Sequence, residues 1–208
     1  MAKNSDFWDE RYAEGEMPYG DLPNDFLAEV ADRIPPGPVL CLAEGQGRNA
    51  VWLAGRGHPV TAMDWSPVGL ARAEQLALEH AVRLRTELGD LRDFEILPGA
   101  WAGIVSIWVQ VPRELRAPVH ARCVAGLAPG GVVVIEAYTP EQQGRGTGGP
   151  DDPTRFPTLA DLRTELAGLD FEIAHEIERD VHEGTYHHGR SAVVQVVARR
   201  PRGASGAR

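Results

Sequence analysis

Two glycines and one acid carry the clearest chemistry in this chain. Gly45 and Gly47 flank Gln46 directly after the apolar run Val39-Leu40-Cys41-Leu42, and a helical pattern starts at Arg48. Glycines at such a turn remove β-carbons where backbone passes close to a ligand. The helix that follows starts with unpaired N–H groups aimed at the same place. Asp64 stands 19 residues after Gly45, at the end of the next apolar run, Pro59–Met63. A carboxylate there either accepts hydrogen bonds from both hydroxyls of a ribose or caps the following helix. The combination predicts a site for a nucleoside-containing cofactor.

Other polar residues lie in telling places. Glu44 is the only carboxylate in the glycine turn, suited to a cofactor contact or to support of Arg48 or Asn49. Trp65 suits stacking on a base or packing under the next helix. Asp90 follows the third apolar run as Gly89-Asp90-Leu91. Trp108 and Gln110 end the fourth. Trp8, Tyr12 and Tyr19 cluster ahead of the first strand, as a cover or as the apolar stripe of a helix. The most polar cluster is His182-Glu183-Gly184-Thr185-Tyr186-His187-His188-Gly189. Convergence of His182, His187 and His188 on a metal ion is disfavoured, because the cluster reads as a hairpin tip with no cysteine. Inert turn chemistry is the main reading, and a role for His182 or Tyr186 in orienting a substrate or taking a proton is the sharper one.

These residues need a scaffold that alternates strands and helices. Strands are predicted at Pro38–Leu42, Pro59–Asp64, Arg83–Gly89, Gly103–Val109, Gly131–Tyr138, Phe171–Val181 and Ser191–Arg199. Helices are predicted at Ser5–Glu14, Pro23–Ile34, Arg48–Gly57, Pro67–Val82, Arg113–Leu127 and Thr158–Gly168, with a short turn near Leu91–Ile96. Ser66 before Pro67 reads as an N-cap, and Thr158 with Asp161 as a capping-box-like start. The pattern predicts an α/β fold, a Rossmann-like, seven-stranded, mostly parallel sheet with helices on both faces. The last two strands, joined without a helix, form a C-terminal antiparallel hairpin. Residues 1–37 form an N-terminal helical cover segment, residues 38–200 the main domain, and residues 201–208 a disordered tail. Thr139–Pro157, rich in glycine and proline, is a flexible loop beside the carboxyl end of a strand, where α/β ligand sites lie.

Composition narrows the classes. The chain has 208 residues and a formal charge of −9, which argues against a nucleic-acid partner. No apolar run is long enough to span a membrane, and the acidic N-terminus lacks the features of a secretion signal, so the expected compartment is the cytoplasm. Cys41 and Cys123 read as buried reduced residues. The single lysine is Lys3, so the tyrosine–lysine pair of short single-domain nicotinamide reductases is impossible. A Gly-Lys-Ser/Thr phosphate loop is absent.

With its closing hairpin, the chain resembles the class I S-adenosylmethionine-dependent methyltransferases over nearly its whole length. More narrowly, Phe7-Trp8-Asp9-Glu10-Arg11-Tyr12, Pro18-Tyr19-Gly20 and Gly45-Gln46-Gly47-Arg48-Asn49 are similar to the tellurite-resistance and thiopurine (thiol) methyltransferases. Cys41 and Ala43 depart from that pattern, which often has an acid and a glycine there. The resemblance implies S-adenosylmethionine as cofactor, held by Tyr19, Glu44, Gly45, Gly47, Arg48, Asn49, Asp64, Trp65, Asp90 and Leu91. Asp90 would accept from the adenine amino group and the Leu91 N–H would meet a ring nitrogen. Trp8, Tyr12 and Tyr19 would cover the sulfonium, and Trp108 and Gln110 would lie beside the transferred methyl. No Asn-Pro-Pro-Tyr or Asp-Pro-Pro-Tyr element of amino-methylating enzymes is present, which tilts the reading to a small soft acceptor: a thiol, selenium or tellurium species, or a similar compact metabolite. A small-molecule oxygen, nitrogen or carbon methyltransferase and a non-catalytic nucleotide-binding module are the alternatives. The expected state is a monomer or weak homodimer without a metal.

Overall fold

The computed structural model describes residues 5–13 and 17–203. The end of the first predicted helix and residues 204–208 of the predicted tail lie outside them. The elements are α1 (Ser5–Ala13), α2 (Asp25–Val30), β1 (Val39–Leu42), α3 (Arg48–Gly55), β2 (Val60–Asp64), α4 (Pro67–Glu79), β3 (Arg85–Leu88), β4 (Trp101–Ile107), α5 (Arg113–Gly126), β5 (Leu127–Tyr138), α6 (Leu159–Glu165), β6 (Asp170–Glu183) and β7 (His187–Arg199).

The seven strands form one sheet in the order β3-β2-β1-β4-β5-β7-β6. The first five are parallel, and β7 runs antiparallel to both its neighbours. Alternation along β1 shows how both faces are covered. Leu40 and Leu42 join Val119 and Cys123 of α5 and Leu162 of α6. Val39 and Cys41 join Ala50 and Leu53 of α3 and Leu27 and Val30 of α2. Both cysteines are free and buried. Burial of these aliphatic side chains, each worth about 1.5–3 kcal/mol, drives the layering. The sheet order reverses between β1 and β4, and the crevice of an open α/β sheet lies at such a point, outside the carboxyl ends of the strands.

Local signals work as expected in two places. Ser66 accepts from Gly69 N–H at the start of α4, and Thr158 and Asp161 make a full capping box at α6. Several boundaries move. The predicted strand Gly103–Val109 starts at Trp101 and ends at Ile107, because Trp108 takes a left-handed φ of 59° that no strand tolerates. The predicted strand from Gly131 begins at Leu127, through a register irregularity opposite Trp101 and Gly103. Both hairpin strands are longer than expected. Val193 pairs with Tyr138, the last residue of β5, while β7 begins at His187. Six residues of β7 therefore overhang the carboxyl edge of the sheet, about 20 Å at the usual rise per strand residue. Glu183 pairs with His187, leaving a tip of only Gly184, Thr185 and Tyr186.

Candidate functional site

The glycine turn is built by its neighbours. Gly45 and Gly47 have φ of 63° and 88°, which favours glycine. The missing β-carbons accommodate protein. A β-carbon on Gly45 would lie 2.5 Å from the Tyr12 hydroxyl, and one on Gly47 would lie 2.6 Å from the Ala73 β-carbon. The turn thus lets α1 and α4 close down on it. Gly47 offers no side chain to cap α3, and Glu44 replaces it: one carboxylate oxygen accepts the N–H groups of Asn49 at 2.9 Å and Ala50 at 2.8 Å.

Asp64 is clamped beside this turn. Its Oδ2 accepts Gly45 N–H at 2.8 Å and its Oδ1 accepts Ser66 N–H at 2.8 Å. Only 4% of the residue is exposed. Burial pushes its carboxyl up to about 6, against the pull of the Ser66 and Gly45 hydrogen bonds. Burial likewise pushes Glu44 up to about 7, opposed by the N–H of Ala50 and by Arg48.

Three cavities meet above these residues. A cavity of about 420 Å³ runs past Asp64, Trp65, Asp90 and Leu91, with Met63 and Leu115 as apolar wall. A smaller one of about 80 Å³ is lined by Tyr19, Glu44, Gln46, Arg48 and Asn49. A third of about 640 Å³ extends past Gln110, Tyr138, Tyr186, Arg11 and Arg155 to the loop at Gly144–Asp151. Trp8 and Trp108 line all three. Eight of the ten predicted contact residues (Tyr19, Glu44, Arg48, Asn49, Asp64, Trp65, Asp90 and Leu91) thus fall on two adjoining cavities, whereas Gly45 and Gly47 line none of the three. Asp90 is engaged, since its carboxylate accepts the backbone N–H of Arg92 at 2.9 Å and its guanidinium at 2.5 Å.

Of the predicted acceptor-side residues, Trp108, Gln110 and Tyr186 line the large cavity. His182 does not: its ring meets His188 on the exposed outer face of the hairpin, Nδ1 to Nδ1 3.4 Å. His187 faces inward instead, with its ring 5.0 Å from Trp108, 5.5 Å from Tyr138 and 5.0 Å from Tyr19. The three histidines therefore part to opposite faces. No group of three metal-ligating side chains occurs among the described residues.

The tip itself closes over the site. Thr185 N–H donates to the Pro18 carbonyl at 2.9 Å, and Tyr186 N–H to the same oxygen at 3.3 Å. A β-carbon on Gly184 would lie 2.5 Å from Gly20 N and from Pro18 O. The tip is thus packed against the Pro18–Gly20 loop, where a solvated turn was expected. The buried residues passed over by that reading are Glu183 and His187. Extending the two-residue alternation back from Val197 and Val193 would have placed His187 on the inner face.

Beneath the tip lies a buried charge network. Glu136, fully buried in β5, accepts from Arg179 Nε at 2.8 Å and Nη2 at 2.7 Å, from Gln195 at 2.7 Å and from Asn24 at 2.5 Å. Glu183 accepts from Trp108 Nε1 at 2.7 Å, from Asn24 and Arg179 at 2.8 Å each, and from Arg48. Burial opposes ionisation of Glu183, but Arg48, Trp108 and Arg179 hold its carboxyl below the usual range.

Residues 39–131 match the family model described as a methyltransferase domain. Solved structures share the fold of this chain at low identity. One, described as converting a disulfide bond into a thioacetal group during echinomycin biosynthesis, superposes with a TM-score of 0.73 at 20% identity, covering 97% of this chain and 94% of that one. TehB from Haemophilus influenzae gives 0.71 at 20% identity, over 94% of this chain and 66% of that one. An S-adenosylmethionine-dependent methyltransferase from Clostridium acetobutylicum gives 0.64 at 13% identity, over 95% and 97%. Among curated proteins, none matches the sequence. The chain shares the fold of these solved structures, and S-adenosylmethionine is the cofactor named for the last of them.

The residues fit that cofactor. The sheet's carboxyl edge offers an apolar cavity with two acids for an adenosine, Asp64 and Asp90. Next to it, the small cavity offers a carboxylate, a guanidinium and the Gln46 amide for an amino-acid head group. Gln46 is only 5% exposed, and neither its Oε1 nor its Nε2 has a hydrogen-bond partner. An orphaned buried amide costs about 1–3 kcal/mol, which a head group in that cavity would relieve.

Proposed function

We propose that this chain transfers a methyl group to a soft nucleophile, most simply a thiol carried on a small organic molecule. The observation that carries this reading is the 640 Å³ cavity, which meets both cofactor-side cavities at Trp8 and Trp108. Its walls hold the rings of Tyr19, Tyr138, Tyr186 and His187, and its one carboxylate is the exposed Asp151. Bound S-adenosylmethionine supplies an activated methyl on a positive sulfur, so the protein's work is alignment and exclusion of water. A thiol ionises near neutral pH and needs little base assistance, which suits a wall without a buried carboxylate. The volume lies within the ~300–1,000 Å³ of sites for organic ligands, so an organic thiol suits it better than a bare selenium or tellurium oxyanion. Arg11 and Arg155 on the wall favour an acceptor with an anionic substituent. Two of the similar proteins agree with soft-atom chemistry: one is described through a disulfide and a thioacetal, the other is the tellurite-resistance protein TehB. The two free, buried cysteines agree with a cytoplasmic setting.

In this reading Asp64 holds the ribose, Asp90 and Leu91 the adenine edge, and Glu44, Gln46 and Arg48 the amino-acid head group. α1 and the Pro18–Gly20 loop act as the cover, with Trp8 stacked on Tyr12 at 5.7 Å and 6.2 Å from Tyr19. Calorimetric titration with S-adenosylmethionine, then product analysis by mass spectrometry over thiols, selenite, tellurite, phenols and amines, tests both halves. Methylated thiols are expected. Transfer only to oxygen or nitrogen would overturn the soft acceptor, and absence of cofactor binding would end the whole reading.

The raised carboxyls give binding a pH dependence. A cationic head group and ribose hydroxyls need Glu44 and Asp64 ionised, and in the free protein these titrate at about 7 and about 6. Affinity for S-adenosylmethionine is therefore expected to fall by about tenfold from pH 8 to pH 6, as the ionised fraction of Glu44 falls. The Glu44→Gln variant is expected to bind more weakly at pH 8 and to lose the upper part of this dependence in the same titration. Stability of the free fold runs in the opposite sense. A carboxyl raised above its unfolded value favours the fold most below that value, and the benefit fades as pH climbs through the folded one.

A further inference from the structure

Trp108, like Trp8, lines all three cavities at the site. Its backbone is strained, with φ of 59° in a residue that has a β-carbon. Such a conformation persists only where the surroundings over-determine it. Three contacts do so: Trp108 N–H donates to the Glu136 carbonyl at 2.9 Å, the ring stacks on Tyr138 at 4.4 Å, and the indole N–H donates to Glu183 at 2.7 Å. The third comes from outside the sheet core, from the last residue of β6.

Glu183 itself lines none of the three cavities. It is 4% exposed, and each of its oxygens has a separate task. Oε1 accepts from Asn24 and Arg179, which anchor it to the fold. Oε2 accepts from both Trp108 and Arg48, which face ligand space. Arg48 lines the small cavity, and Trp108 divides it from the large one. One carboxylate oxygen thus joins the wall of the acceptor cavity to the floor of the cofactor cavity. The next residue, Gly184, is packed against Gly20 and Pro18, so Glu183 stands at the foot of the docked tip.

We propose that Glu183 is a positioning residue, which sets Trp108 and Arg48 together from the foot of the hairpin tip. A purely structural ion pair would support the fold without governing the indole. The two roles separate in a measurement on Trp108 alone. In ¹⁵N-labelled protein the Trp108 indole N–H signal is identified by its absence in Trp108→Phe. In the unaltered protein that N–H is expected to exchange with solvent at least a hundredfold more slowly than an exposed indole. In Glu183→Gln, which keeps the shape and loses the charge, the signal is expected to shift and its protection to fall at least tenfold. Affinity for S-adenosylmethionine is expected to fall about tenfold alongside. An unmoved Trp108 signal in Glu183→Gln, with only a lower melting temperature, would overturn the proposal. If that variant does not fold, the unaltered protein decides, since rapid indole exchange there overturns it and strong protection supports it. The indole readout needs no cofactor, so its outcome is separate from that of the acceptor reading.

Discussion

Asp64→Ala is expected to weaken S-adenosylmethionine binding by at least a hundredfold, beyond ordinary calorimetric detection. The size of the effect comes from two losses at once. On the proposed reading the ribose loses its acceptor, and the turn loses the clamp that holds Gly45 N–H and Ser66 N–H to one carboxylate. Each N–H left unsatisfied in a buried place costs about 1–3 kcal/mol, so the melting temperature of the free protein falls as well. Asp64→Asn is the informative control. An amide offers one acceptor oxygen and one donor, and here both protein partners are donors. It is expected to rescue little, whereas a plain helix-capping role would let asparagine substitute well. Affinity for the cofactor unchanged in Asp64→Ala would remove the acid from the site.

Glu136→Ala is expected to destabilise the fold by about 3–5 kcal/mol, the usual result of deleting one partner from a buried ion pair. Glu136 is fully buried and receives four hydrogen bonds from three side chains, Arg179, Gln195 and Asn24. Arg179 would keep Glu183 and Asp25 as partners, yet its guanidinium would face an empty space in the sheet. A shift of the urea midpoint, measured with the slope held common, gives the value. A loss below about 1 kcal/mol would mean that water enters and screens the arginine.

The sheet was legible because each strand is a bounded apolar run with a helical pattern after it. Leu40 and Leu42 against Val39 and Cys41 even foretell two covered faces. The turn at Gly45 and Gly47 was legible too, but its cause was not. The close neighbours that exclude β-carbons there are Tyr12 and Ala73, more than twenty residues distant in sequence, and a local pattern holds no trace of them. The hairpin tip was misread for the same reason. His182–Gly189 is polar, and polar tips are usually solvated. Glu183 is buried because its partners are Trp108 and Arg48, 75 and 135 residues away. The left-handed backbone of Trp108 is likewise set by what surrounds it. Boundaries such as Leu127 and Trp101 moved because a bulge lets pairing continue where Pro129-Gly130-Gly131 suggests a break.

The seam between the tip and the Pro18–Gly20 loop is made of main chain, with two N–H groups meeting one carbonyl and glycine facing glycine. Closure of this kind is indifferent to the identity of the adjoining side chains. Thr185, which borders the large cavity, can drift under selection without loosening the seal, whereas Tyr186 also meets the Tyr19 ring at 5.8 Å. The architecture separates what must be preserved for shutting out solvent from what can be retuned for a new molecule, and so leaves acceptor choice open to evolution one side chain at a time.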